Sequence, residues 1–154
     1  MRHILLLLLF CCIATATTAQ STSAYPMSAT DRQRMEQAVQ DYNKKRYLKS
    51  ADQLHRLSQL YPNNPDIYFY LGLNAVKRDY NAIGIRRYFT KVIQLAPNYP
   101  DAVAHFYMGV IHYTDNQFDQ AVDQFNQYFS LANSHGTLES DALYMEASNY
   151  LYWS

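Results

Sequence analysis

The chain has 154 residues, 13 Lys and Arg against 13 Asp and Glu, and a composition rich in Tyr (15) and poor in Gly (4). That length supports one domain with a core of its own, and the shortage of glycine favours packed helices over a turn-rich β architecture. Overall neutrality argues against a phosphate-tracking surface, and so against nucleic acid as the partner.

The first nineteen residues read as a secretory signal peptide. Met1-Arg2-His3 is a short basic start, Ile4 to Ile13 is an apolar run, and small residues follow up to Ala19. The run is about half of what a bilayer-spanning helix needs, so no transmembrane helix is expected after cleavage. An uncleaved anchor and lipid attachment at Cys11 or Cys12 are the competing readings; the bulky Phe10 just before them argues against lipidation. Cleavage after Ala19 leaves a mature chain without cysteine, which removes disulfides, thiolate metal sites and thiol catalysis. Export is the expected fate, to the periplasm or the outer membrane, with a secreted protein as the alternative.

Residues 20–29 lack apolar periodicity and read as a flexible tether. Thr30 with Gln33 forms a capping-box pattern, so the ordered domain is expected over 30–154. Met35, Ala38, Val39 and Tyr42 begin a helical stripe, continued by Tyr47, Leu54, Leu57 and Leu60. Then comes a junction, Leu60-Tyr61-Pro62-Asn63-Asn64-Pro65-Asp66, which recurs as Leu95-Ala96-Pro97-Asn98-Tyr99-Pro100-Asp101. The first Pro of each ends a helix, because it lacks an amide hydrogen; the second fits the first turn of the next.

Between the junctions, Tyr68, Leu71, Gly72, Ala75 and Val76 make one helical stripe, and Ile85, Phe89, Val92, Ile93 and Ala96 a second. Beyond them His105, Met108, Gly109 and His112 repeat the first, and Phe118, Ala121, Val122, Phe125 and Tyr128 the second. Gly72 and Gly109 stand where two helices of one hairpin must approach closely. A last stripe, Ala142, Leu143, Tyr144, Ala147, Tyr150 and Leu151, ends in Tyr152-Trp153. That aromatic end is a fold-back cap, a docking surface, or the start of a continuing repeat array.

These units resemble the tetratricopeptide repeat (TPR). The third fits best, through Gly109, Phe118, Ala121 and Phe125. The second follows through Tyr68, Leu71, Gly72, Tyr80, Phe89 and Pro97, with Met108 in the next helix. The first fits with a turn one residue short. The resemblance implies an all-α, right-handed α-solenoid of about three repeats (31–64, 65–99, 100–134) plus a partial one (138–154). It further implies a scaffold that binds another protein or peptide in a concave groove lined by the first helix of each hairpin. Its groove positions carry over to Phe69, Leu73, Phe106, Val110, Tyr113, Tyr144, Ser148 and Tyr152, an aromatic set suited to hydrophobic anchors. The Lys and Asn clamp with which some members hold a chaperone tail is missing here.

No catalytic motif, cofactor loop or small-molecule site is evident, so an enzyme is not expected. His105 and His112, with Asp101 four residues before the first, are the nearest approach to a metal set; lacking Cys or Glu companions, they read as structural histidines. Charge is divided along the chain. Residues 31–91 carry twelve Lys and Arg against six Asp and Glu, while 92–154 carry none against seven. Self-association of basic and acidic halves is the alternative function this division suggests.

Overall fold

The computed structural model describes residues 25–78, 82–97, 102–134 and 142–153; the expected signal peptide, and Tyr80, lie outside them. The described residues form seven helices and no strand: α1 (Ala29–Asn43), α2 (Tyr47–Leu60), α3 (Pro65–Arg78), α4 (Ala82–Leu95), α5 (Val103–Thr114), α6 (Phe118–Ser134) and α7 (Ala142–Trp153). Each helix packs on the next, and α1 also touches α3 as α5 touches α7. The fold is an all-α helical repeat of three hairpins and a final helix.

The repeat is written in the core. Leu54, Phe89 and Phe125 are fully buried at matching places in the second helix of each hairpin. Opposite them stand Ala38, Gly72 and Gly109, small residues in the first helices. A Cβ on Gly72 would lie 2.7 Å from the Phe89 ring, and one on Gly109 2.6 Å from the Phe125 ring. Hairpins two and three therefore spend helix propensity on glycine to seat a phenylalanine, whereas the first seats a leucine over an alanine. Ala147 of α7, again fully buried, extends the series against the last hairpin.

Hairpins one and three turn identically. The Lys45 amide donates to the Tyr42 carbonyl and the Arg46 amide to that of Asp41; Asn116 to Tyr113 and Gln117 to His112 repeat the pair. Lys45 and Asn116 take the left-handed conformation at φ 60° and 58°. This is the Schellman arrangement, which satisfies the last carbonyls of the preceding helix. The first turn is thus not one residue short: Ala38 precedes Lys45 by the same interval as Gly109 precedes Asn116.

Both helix starts near the repeat boundaries depart from expectation. α1 begins at Ala29, capped by Ser28 rather than Thr30: the Asp31 amide donates to Ser28 Oγ at 3.1 Å, and the Ser28 hydroxyl to Asp31 Oδ2 at 2.7 Å. The Tyr61 hydroxyl, from the far end of the hairpin, also donates to Asp31 Oδ2 at 2.8 Å. Met27 packs on the first core cluster, so the end of the expected tether is docked. At the first junction Asn64 is buried, and its side-chain oxygen accepts the Asp66 amide at 2.9 Å, so that Pro65 opens α3. Tyr99 replaces that capping Asn in the second junction, and a phenol offers no such short-range cap. There α5 starts only at Val103, three residues past Pro100, behind a left-handed Ala102 with no side-chain cap.

Candidate functional site

The odd-numbered helices share one face of the repeat. Where α3, α5 and α7 meet, they enclose a cleft of about 520 Å³. Val76 and Lys77 come from the end of α3; Phe106, Tyr107, Val110 and Thr114 follow α5 at three- and four-residue steps; Glu146 and Tyr150 face them from α7. Phe106 and Val110 are 2% and 5% exposed and make an apolar floor. A cation from α3 and a carboxylate from α7 edge the opening. The arrangement offers an apolar floor for a side chain and two opposite charges at its edges.

Aromatic rings hold its walls. Tyr150 stacks on Phe125, with centroids 5.4 Å apart and planes 7° from parallel, and meets Tyr113 edge-on at 4.9 Å. Tyr107 stacks on Phe89 at 4.9 Å and 9°, tying α5 to the hairpin before it. Burial pushes the Tyr150 hydroxyl above the ordinary phenol pKa, with Glu146 adding to the shift, so it is a neutral donor across the physiological range.

The expected groove residues separate into three groups. Phe106 and Val110 reach the cleft, but only as its floor. Phe69, 8% exposed, belongs to the core: its ring packs edge-on against Phe89 at 6.1 Å, and Leu73 lies half-buried on the same cluster. The correction has a simple cause. An interior helix packs on its hairpin partner and on neighbouring hairpins, so the position beside its packing stripe is covered as well. Tyr113 is half-buried between Phe118 and Tyr150, and Ser148 is exposed. The side chains of Tyr144 and Tyr152 lie outside the described residues.

Among the expected packing residues, Leu71, Gly72, Met108, Gly109, Ala121 and Phe125 are buried, and Tyr68 is half-buried with Lys91 over its ring at 5.9 Å. Phe118 is instead 41% exposed, resting on Tyr113. Pro97 is exposed just past the end of α4, where it ends a helix rather than filling space. The sequence reading missed Lys77, Tyr107, Thr114 and Glu146 in the cleft. Extending the groove stripe from Leu73 by four, and from Val110 by minus three and plus four, would have found the first three.

Histidine chemistry stays local. His105 Nδ1 pairs with Gln124 Oε1 at 3.0 Å and His112 Nδ1 with Gln117 Oε1 at 2.7 Å. Among the described residues no three His, Cys, Asp or Glu side chains are grouped to hold a metal, and no helix is long and apolar enough to cross a membrane.

A second feature lies at the turn between α1 and α2. Lys45, Arg46, Lys49, Lys77 and Arg78 line an open pocket of about 560 Å³. Beneath it the buried Asp41 accepts from Arg46 at 3.4 Å, Lys49 at 3.2 Å and Gln53 at 3.2 Å. Burial alone would raise the Asp41 pKa, but Lys49 and the amide donors outweigh it and hold the carboxyl below its usual range. Compared with known proteins, the chain matches no protein-family model and no curated protein.

Proposed function

We propose that this chain is a tetratricopeptide-type scaffold, exported to the periplasm or outer membrane, that holds a protein or peptide partner in the cleft between α3, α5 and α7. Secretion is the alternative destination. Mechanism on this reading is geometry, not catalysis: stacked hairpins present a rigid apolar floor, and the partner contributes hydrophobic anchors. The observation that carries the reading is the cleft itself, a floor of Phe106 and Val110 between Lys77 and Glu146. A segment with one or two apolar side chains, flanked by an acid toward Lys77 and a base toward Glu146, matches that order.

Thr114 lines the cleft yet is exposed, so Thr114→Trp fills the site from the solvent side and leaves the core alone. In crosslinked pull-downs from native extract, the parent chain is expected to recover a distinct protein that Thr114→Trp loses, at equal helicity and melting temperature. Recovery of that protein by both chains would overturn the reading.

A further inference from the structure

The edge of the repeat where the hairpins close carries an apolar row between charges of opposite sign. Leu48, second residue of α2, is 63% exposed, and Ile83, its counterpart in α4, is 81% exposed. The matching place in α6 is Asp119, but Phe118 beside it is 41% exposed. Among the described residues each hairpin thus shows one exposed large apolar side chain at the same edge, where water gains nothing from it.

Charge along this edge runs one way. The first hairpin end is basic through Lys44, Lys45, Arg46 and Lys49, joined by Lys77 and Arg78 from α3; counting Asp41 against these six leaves five net positive charges among the described residues. At the third hairpin end stand Asp115, Asp119 and Asp123, with no cation of their own in residues 92–154. Arg86 pairs with Asp115, so the neutral middle lies at the start of α4, beside Ile83, and Asp119 and Asp123 carry the net charge of the acidic end.

We propose that this edge is a self-complementary interface between two copies of the chain, related by a two-fold axis near Ile83. Reversing the edge against itself sets Ile83 on its own copy, Leu48 on the partner's Phe118, and the basic turn on the partner's acidic one. A two-fold contact uses the same patch on both copies and closes after two, whereas joining a basic end to an acidic end in sequence would grow a filament. A different partner would need no such antisymmetry about the central hairpin. The order of charges along the edge, basic to acidic about an apolar middle, singles out a second copy. The interface shares Lys77 with the α3–α5–α7 cleft, but its apolar row and the residues varied to test it lie outside the cleft.

Sedimentation equilibrium on the purified chain tests this, with three variants: Ile83→Glu, Lys44→Glu/Lys45→Glu, and Asp119→Lys/Asp123→Lys. All these positions are exposed or partly so, and circular dichroism checks that each variant keeps its helices. The parent is expected to reach twice the chain mass, more weakly as salt rises. Ile83→Glu places two carboxylates at the axis and removes two buried isoleucines, so dimerisation is expected to weaken at least about a hundredfold. Either charge-altered variant alone is expected to be monomeric, and an equimolar mixture of the two to form a heterodimer, since the mixture restores one native basic-to-acidic contact that neither variant makes with itself. A parent that stays monomeric, one that grows past the dimer, or a mixture that fails to pair would overturn the proposal.

Discussion

Gly109 and Phe125 are one packing decision made by two residues, and a double-mutant cycle can measure it. A Cβ at position 109 meets Phe125 Cε1 at 2.6 Å, Cδ1 at 2.7 Å and Cζ at 2.9 Å. Ordinary contact is about 3.5–4.0 Å, so the ring must retreat by about 1 Å. It has little room. Phe125 is fully buried, with Tyr150 stacked on it at 5.4 Å and Phe106 against it at 6.2 Å. Overpacking of this kind costs about 1–3 kcal/mol, while alanine for glycine inside a helix returns about 1 kcal/mol. Gly109→Ala is therefore expected to lose up to about 2 kcal/mol. Phe125→Leu alone loses a similar amount by opening a cavity. Together they recreate the Ala38 and Leu54 pair of the first hairpin, so the double variant is expected to beat the sum of the singles by at least about 1 kcal/mol. Urea unfolding followed by circular dichroism gives each value. Additivity within about 0.3 kcal/mol, or a stabilised Gly109→Ala, would refute the small-against-large account of the hairpins.

Other expectations rest on equally local geometry. Lys45→Gly, at a left-handed position, is expected to stabilise the chain by about 0.5–1 kcal/mol in the same urea assay, and Asn116→Gly by less, because Asn tolerates that conformation better. Ser28→Ala removes the α1 cap and is expected to cost about 1 kcal/mol, with faster amide exchange in the first turn of α1 as its signature. Asp31 is held below the usual carboxylate range chiefly by the Ser28 and Tyr61 hydroxyls, with Arg34 adding to them, and Asp41 by Lys49 and its amide donors despite burial. A depressed folded pKa gives stability that is complete above the unfolded value of about 3.9 and is lost as pH falls through the folded one. The chain is thus expected to lose stability below about pH 4, and Asp31→Asn/Asp41→Asn to flatten that part of a melting-temperature profile.

Much of the architecture was legible because its signal is periodic. Stripes such as Ile85, Phe89 and Val92 recur as Ala121, Phe125 and Tyr128, and both sets are fully buried. Details fixed by a single side chain were harder to read. Two nearly identical junctions start their helices differently: the Asn64 side chain caps α3, and the sequence puts at the matching place a tyrosine, a residue type without a short-range acceptor. The α1 cap lies at Ser28 because Tyr61, thirty residues beyond Asp31, completes its hydrogen bonds, a contact no local pattern encodes. The candidate site was half legible. Helical spacing finds the right helix, and so Phe106 and Val110, but spacing alone does not tell the floor of a cleft from the core beneath it. Phe69 fell on the wrong side of that line. The exposed edge carrying Leu48 and Ile83 left only the trace of a charge division, since an apolar residue at a helix start looks the same whether covered or not.

The most direct test of the account is site-specific photocrosslinking from inside the cleft. A benzophenone side chain at Thr114, which faces the cleft, is compared in native extract with one at Asn126, exposed on α6. The account requires a distinct protein crosslinked from position 114 and absent from 126, with the crosslinked peptide carrying apolar anchors. The same products from both positions, or none from 114, would contradict it.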